Sequence, residues 1–500
     1  MKKLLVVLLA SASASILYAG GLVTNTSQSA MFTRFQCRDA SLDIDAAYYN
    51  PAGLVHRNDG FYLSLNNQTM GQLNLVETNY SNIEKESREY KGKVMIPVFP
   101  ALYAVYKTGK FAFSTGVNPI AGEGRSRWSD GLPSYEMELA DYVPVIKERL
   151  SLVDAALTNL DGTTRTYSNI TAYDVDISFE TSSLSMGYQG NIAYQINDYF
   201  SIAAGVRLVH SKSWIKGSVS NLTITYTDIN GDPQKVRPGD HYRTIAEDYL
   251  TVDDTSAIAA ITVNQLNTYA DEIDQWSEIE ADVVLTGMGV TPVISINYAP
   301  SINTNWSLKY EFKTNIDLET KIIDGKDANG KFIEGTEYIA DIPAMLSVGL
   351  TRNPSPRFMF YAGAHYYFDK PIDFDGDEEV NIEMIEKNTY ELAYGAEYQV
   401  NNKYRLSAGV LLSRPGVNAN YQNERRFALS SNTIGAGLGL RLTPLIDLNI
   451  GGSYTMYKKD EKNYTYDPGD GINEAVSVSE YYDTRKWVLS VGIDLLFGEQ

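Results

Sequence analysis

Near the C-terminus, in WVLSVGIDLLF, six apolar residues (Trp487, Leu489, Val491, Ile493, Leu495 and Phe497) alternate with a set that includes Ser490, Gly492 and Asp494. A period of two over eleven residues is a strand with one greasy and one wet face. Its length is what a tilted strand needs to cross a bilayer, and it carries an aromatic residue at each end. YRLSAGVLLS repeats the pattern, with Tyr404, Leu406, Ala408, Val410 and Leu412 opposite Arg405, Ser407, Gly409 and Ser413. IDLNIGGSYTM, and the segments that begin at Phe200 and Phe358, alternate in the same way.

The connections between such segments alternate in length. Short turns fall at Lys107–Lys110, Asn197–Asp198, Pro300–Thr304, Asn353–Pro356, Asn401–Lys403 and Thr443–Leu445. Longer stretches, acidic and rich in Gly, Asn and Asp, lie near 75–92, 123–178, 214–282, 321–340, 370–388, 414–427 and 458–484. Six short and seven long connections imply fourteen strands with both termini on the short-turn side. The expected fold is all-β: a 14-stranded antiparallel transmembrane barrel with periplasmic turns and external loops. A soluble β-sandwich also alternates, but does not sort its loops by length at each end.

MKKLLVVLLASASASILYAGG has two lysines, an apolar run and small residues before a cut after Ala19, which describes a secretory signal peptide over 1–19. Beyond it no run approaches the roughly 18 apolar residues of a spanning helix, so a membrane form must cross with strands. The formal charge of −20 disfavours nucleic acid. Tyrosine, at 36 against 16 phenylalanines, suits water–lipid boundaries. The single Cys37 can form no internal disulfide.

Ahead of the first strand stands YYNPAGL, in which Asn50, Pro51, Ala52 and Gly53 break the chain. Taken as residues alone, this is equally an ordinary turn or the point where a folded-back segment enters the wall. With STGVNPIAGEG (114–124), IPAMLSVGL (342–350) and YGAEYQVNNKYRLSAGV (394–410), it makes most of the mature chain similar to the FadL family of outer-membrane transporters for long-chain fatty acids and other hydrophobic compounds. The resemblance implies an N-terminal hatch in the lumen, here 20–53, and a barrel over 54–500. It also implies sideways release of cargo where the third strand kinks. Gly116, Asn118, Pro119 and Gly122 mark that kink, since proline deletes a ladder hydrogen bond. Alternatively the strand ends at Val117 and Pro119 opens a loop. Ile120 and Ala121 stand where the family carries a bulky aromatic residue.

Loops 123–178 and 214–282 are long enough to be partly helical. Ile146, Leu150, Val153 and Leu157 fall at helical spacing, forming an apolar stripe that either meets an acyl chain outside or caps the barrel itself. Other constellations carry no chemistry. Gly435, Gly437 and Gly439 alternate with apolar residues as the lumen face of a strand, leaving room for a plug. DFDGDEE (373–379) and DGKDANG (324–330) lack calcium-loop spacing. His56, His210, His241 and His365 stand in unrelated contexts, and no serine lies in a nucleophile motif. The expectation is a monomeric outer-membrane transporter with no catalytic residue, metal or cofactor. Its partners are a hydrophobic small molecule, outer-membrane lipid and lipopolysaccharide. Cargo would pass from external loops to an apolar pocket beside the hatch and then into the membrane. The alternative is a general porin or a loop-displaying adhesin on the same scaffold.

Overall fold

The computed structural model describes residues 27–83, 88–253, 255–372, 383–469 and 471–498. The expected signal peptide (1–19), the first residues of the expected hatch (20–26) and DFDGDEE (373–379) lie outside these described residues. The wall strands are β1 (Gly60–Thr78), β2 (Arg88–Thr108), β3 (Phe111–Trp128), β4 (Ile170–Gln195), β5 (Phe200–Thr227) and β6 (Ile279–Ser301). Next come β7 (Thr304–Glu311, resuming as Asp317–Asp327), β8 (Glu337–Ile339, resuming as Met345–Ser355), β9 (Phe358–Tyr367) and β10 (Tyr390–Gln399). The last are β11 (Tyr404–Arg414), β12 (Ser431–Thr443), β13 (Ile446–Tyr457, resuming as Asp460–Tyr466) and β14 (Val476–Gly498). Each pairs antiparallel with its neighbour, and β14 returns to β1 with Phe61 opposite Phe497 and Gln72 opposite Lys486. Fourteen strands close the cylinder, so every described wall strand has a partner on each side.

The period-two pattern sorts as its chemistry demands. Leu489, Val491, Ile493 and Phe497 point out and are exposed, whereas Val488 and Ser490 point in and are buried. Aromatic pairs ring the turn end on the outer face: Phe200 with Tyr298 (centroids 4.5 Å apart), Phe111 with Tyr194 (5.0 Å) and Phe358 with Tyr398 (5.0 Å). Their apolar bodies and polar tips suit the lipid–water boundary. No helix among the described residues is long and apolar enough to cross a membrane.

The external connections are shorter than the sequence suggests because the hairpins are longer. β4 has 26 residues and β5 has 28, far beyond the roughly 9–11 that a bilayer requires. Above the membrane the alternation persists, with Tyr173, Val175, Leu222, Ile224 and Tyr226 packed against helices and their polar neighbours on the other face, so only the polar and acidic composition of TAYDVDIS and SNLTITYT resembles that of loops. Three helices cover this extension: α3 (Pro133–Asp161), α4 (Pro238–Val252) and α5 (Ala257–Ser277). The lumen is occupied from the N-terminus by α1 (Ala30–Phe35), α2 (Ala46–Tyr49) and a 3-10 turn, Pro51–His56.

Candidate functional site

The hatch lies on a track of glycine. Gly395, Gly409 and Gly435 sit opposite one another on β10, β11 and β12. A Cβ on Gly409 would overlap the Phe35 carbonyl, and one on Gly435 the Thr33 carbonyl, so only glycine lets helix backbone meet wall backbone here. Gly437 is equally filled by the Arg34 side chain. The glycines suspected of leaving room for a plug do so.

Charge holds the hatch in place. The Arg34 guanidinium donates to Glu397 at 2.5 Å and to Asn449. Arg38, fully buried, donates to both oxygens of Asp45 (2.8 and 2.9 Å), to Asp43 (2.6 Å) and to Ser41 (2.6 Å). His365 of β9 bridges Asp39 of the hatch (2.6 Å) and Glu391 of β10 (2.9 Å). The Tyr48 ring lies between Arg207 and Lys309, 4.9 and 4.5 Å from its centroid, and both cations bind Glu311. Removing one member of such a buried set leaves an uncompensated charge, typically a loss of about 3–5 kcal/mol. Arg207 and Arg405 both face inward, but Arg207 is taken up by Glu311 and Gln189, and Arg405 by Asp447.

Asn50, Pro51, Ala52 and Gly53 form the bolt between hatch and wall. Asn50 Nδ2 donates to Asn297 Oδ1 (2.7 Å) and to the Ser41 carbonyl (3.1 Å). The Ala52 N–H donates to Ser295 (2.9 Å), and its carbonyl accepts from Ser201 (2.6 Å). Gly53 has no room for a Cβ against Asn50 and Leu42.

β3 runs on past Val117 through Pro119 to Trp128 and keeps its pairing with β4, with irregularities at Pro119–Ala121 and Ala121–Gly124. Its other edge comes apart. β2 and β3 pair at Leu102–Val117 and again at Val94–Ser126, with nothing between. Proline stands on both sides of the break, Pro97 and Pro100 on β2 and Pro119 on β3, where each withholds a ladder donor. Gly122 adopts φ +114° with the Ser183 carbonyl against the place a Cβ would take. Inside the break Met70, Phe99 and Val488 form an apolar cluster, while Met95 and Val98 are exposed outside. The two prolines of MIPVFP carry a signal of the break as plain as Pro119.

Beside this break lies a lumen cavity of about 250 Å³. Ser27, Phe32 and Gln36 of the hatch floor it, and Glu424, Arg425 and Phe427 from the β11–β12 connection roof it. Its wall is mixed where the sequence led to the expectation of an apolar pocket: Met70, Trp128, Phe179, Leu411 and Leu429 line it together with polar side chains. Thr433, Thr455, Lys486, Gln72, Ser126 and Thr181 line it. Most of these are successive partners in one row across the seam of the barrel. A lumen face shielded from lipid by the wall has no need of hydrocarbon.

The stripe on α3 is turned inward. Ile146, Leu150 and Leu157 have no exposed surface and Val153 is partly covered, packed against α4, α5, Leu222 and Ile224. It is the core of an external helical cap, so it offers no surface for a passing acyl chain. Within that cap burial pushes the Glu138 carboxyl up to about 8, with Glu424 and Asp141 adding to the effect and Lys331 and Arg425 opposing it.

A closed fourteen-strand wall, greasy outside and corked inside, defines a plugged barrel of the bacterial outer membrane. The model of the outer membrane protein transport protein family (OMPP1/FadL/TodX) matches residues 9–497, and the chain belongs to that family. Among solved structures it resembles a Pseudomonas aeruginosa FadL homologue (14% identity, 95% of this chain and 99% of that one, TM-score 0.59). It also resembles the P. putida toluene transporter TodX (12% identity, 97% and 100%, TM-score 0.51). No curated protein matches. The family is one of transporters and places the chain in the outer membrane.

Proposed function

We propose that the protein carries hydrophobic molecules, long-chain fatty acids or aromatic hydrocarbons, passively inward across the outer membrane, releasing them sideways at the β2–β3 break. The observation that carries this reading is the lapse of pairing between Leu102–Val117 and Val94–Ser126, next to a lumen blocked by the hatch. A molecule that reaches the cavity has apolar side chains, Met70, Phe99 and Val488, between it and the lipid. The exit of a greasy solute into hydrocarbon is downhill and needs no nucleotide. First contact outside falls to exposed side chains of the cap such as Leu152, Ile258 and Ile261, since the stripe of α3 is covered. An open porin is disfavoured by the buried, bolted hatch. Deleting the gene should lower oleate or toluene uptake into intact cells; unchanged uptake of both would refute the reading.

A further inference from the structure

On the outside of the wall, the pairing that resumes above the β2–β3 break sets two cations against each other. Val94 and Ser126 point into the lumen, and the next residues, Lys93 and Arg127, stand opposite one another and point out. Like charges directly opposite on one face of a sheet repel. The row continues in register through Leu73 to Arg485 on one side and through Glu180 to Lys216 and Asp282 on the other. Arg125, the next outward residue of β3 toward the break, lies 5.8 Å from the Trp214 ring. Lys212, below Lys216 on β5, is exposed on the same face.

Carboxylates do not cancel this charge. Three approach the six cations: Glu180 between Arg125 and Arg127, Asp282 at 3.5 Å from Lys216, and Asp483 at 3.9 Å from Arg485. Asp282 also accepts from Trp214 (2.6 Å), and Asp483 is shared with Lys459 (3.6 Å). Lys93 and Lys212 have no ion-pair partner among the described residues. Lys91, the next outward residue of β2, is matched by Glu89 at 2.9 Å and adds nothing to the excess. The chain as a whole is formally −20, so this gathering of cations runs against its average charge.

Height determines what meets the patch. Arg485 stands two residues beyond Trp487, the aromatic end of a membrane-crossing segment, on the side away from the short turns. That is the head-group level of the external leaflet, which in a bacterial outer membrane is lipopolysaccharide, a phosphorylated glycolipid. Below Lys93 on the same strand, Met95 is 56% exposed and Val98 66%. A free anion would use the cations and leave this apolar surface bare, whereas a lipid uses both. The planar guanidinium forks of Arg125 and Arg127 match phosphate oxygens.

We propose that this outer face is a docking site for lipopolysaccharide. Its phosphates lie across Lys93, Arg125, Arg127 and Arg485, and its acyl chains descend past Met95 and Val98 over the outside of the β2–β3 break. The bound head group relieves the repulsion between Lys93 and Arg127.

The test is native mass spectrometry of the full-length mature protein in detergent, titrated with deep-rough lipopolysaccharide, the same glycolipid dephosphorylated, and phosphatidylglycerol. Deep-rough lipopolysaccharide is expected to bind about tenfold or more tighter than either of the others, the weight of one charge-assisted contact. Lys93→Gln combined with Arg127→Gln should bring its affinity down to that of the dephosphorylated form. Met95→Ser combined with Val98→Ser should weaken it several-fold. Lys403→Gln, an exposed cation in the β10–β11 turn at the opposite rim, should leave it unchanged. The SDS-resistant mobility of each unboiled variant verifies folding. Equal binding of the phosphorylated and dephosphorylated glycolipids, phosphatidylglycerol binding as tightly as lipopolysaccharide, or wild-type affinity in either double variant would overturn the inference.

Discussion

Asn50 and Asn297, 247 positions apart in the chain, are joined side chain to side chain at 2.7 Å in the lumen. Through this contact a chain-breaking turn becomes the fastening of a cork. Asn297 continues it to Asn305 (2.8 Å), and Asn305 to the Ala40 carbonyl (3.1 Å), so β6 and β7 grip both arms of the hatch.

Asn297→Ala should loosen the hatch without opening the wall. Leaving Asn50 Nδ2 short of one buried partner costs about 1–3 kcal/mol. Planar bilayers should record more frequent conductance bursts than with wild type, while SDS-resistant mobility stays unchanged. A quiet Asn297→Ala channel would show that the contact does not hold the plug.

Gly409→Val puts bulk where the Phe35 carbonyl now rests. Wall and hatch cannot both keep their positions, and the shorter, less hydrogen-bonded element should yield. Limited proteolysis should cut within 27–56 in the variant and not in wild type. Protection equal to wild type would mean that the track tolerates side chains.

Gly122→Ala tests the break. Its φ of +114° and the adjacent Ser183 carbonyl should make even a methyl costly, by about 1–3 kcal/mol locally. Uptake should fall while assembly persists. Gly190→Ala is the control, because a Cβ there meets nothing within 4 Å. Equal uptake in the two variants would separate the break from transport.

The cap should lose stability as pH rises. Glu138, near 8 when folded, has an ordinary value near 4.5 when unfolded, so the folded state binds its proton more tightly. Its contribution is full below about 4.5 and disappears as pH climbs through about 8. Hydrogen exchange of α3 should therefore accelerate across that window in wild type and be flatter in Glu138→Gln. A slope identical in both would assign the effect to another group.

The sequence by itself determined the wall. Lipid outside and a shielded lumen inside impose a period of two on every spanning segment, and the contrast between short and long connections follows from which side each faces. The count of fourteen, the direction of Trp487 to Phe497 and the reason for Gly435 and Gly437 were therefore readable. Only the tertiary structure decided the interior and the cap. The break needs two strands compared in register, since Pro97 and Pro100 matter only because Pro119 stands across from them. The stripe of Ile146 to Leu157 has the same spacing whether it faces water or α4 and α5, and periodicity cannot say which. Arg425 sits in an aperiodic connection whose path into the bore is set by contacts far away in the chain. Periodicity reports the medium on each side of a strand, while a site is made where distant segments meet.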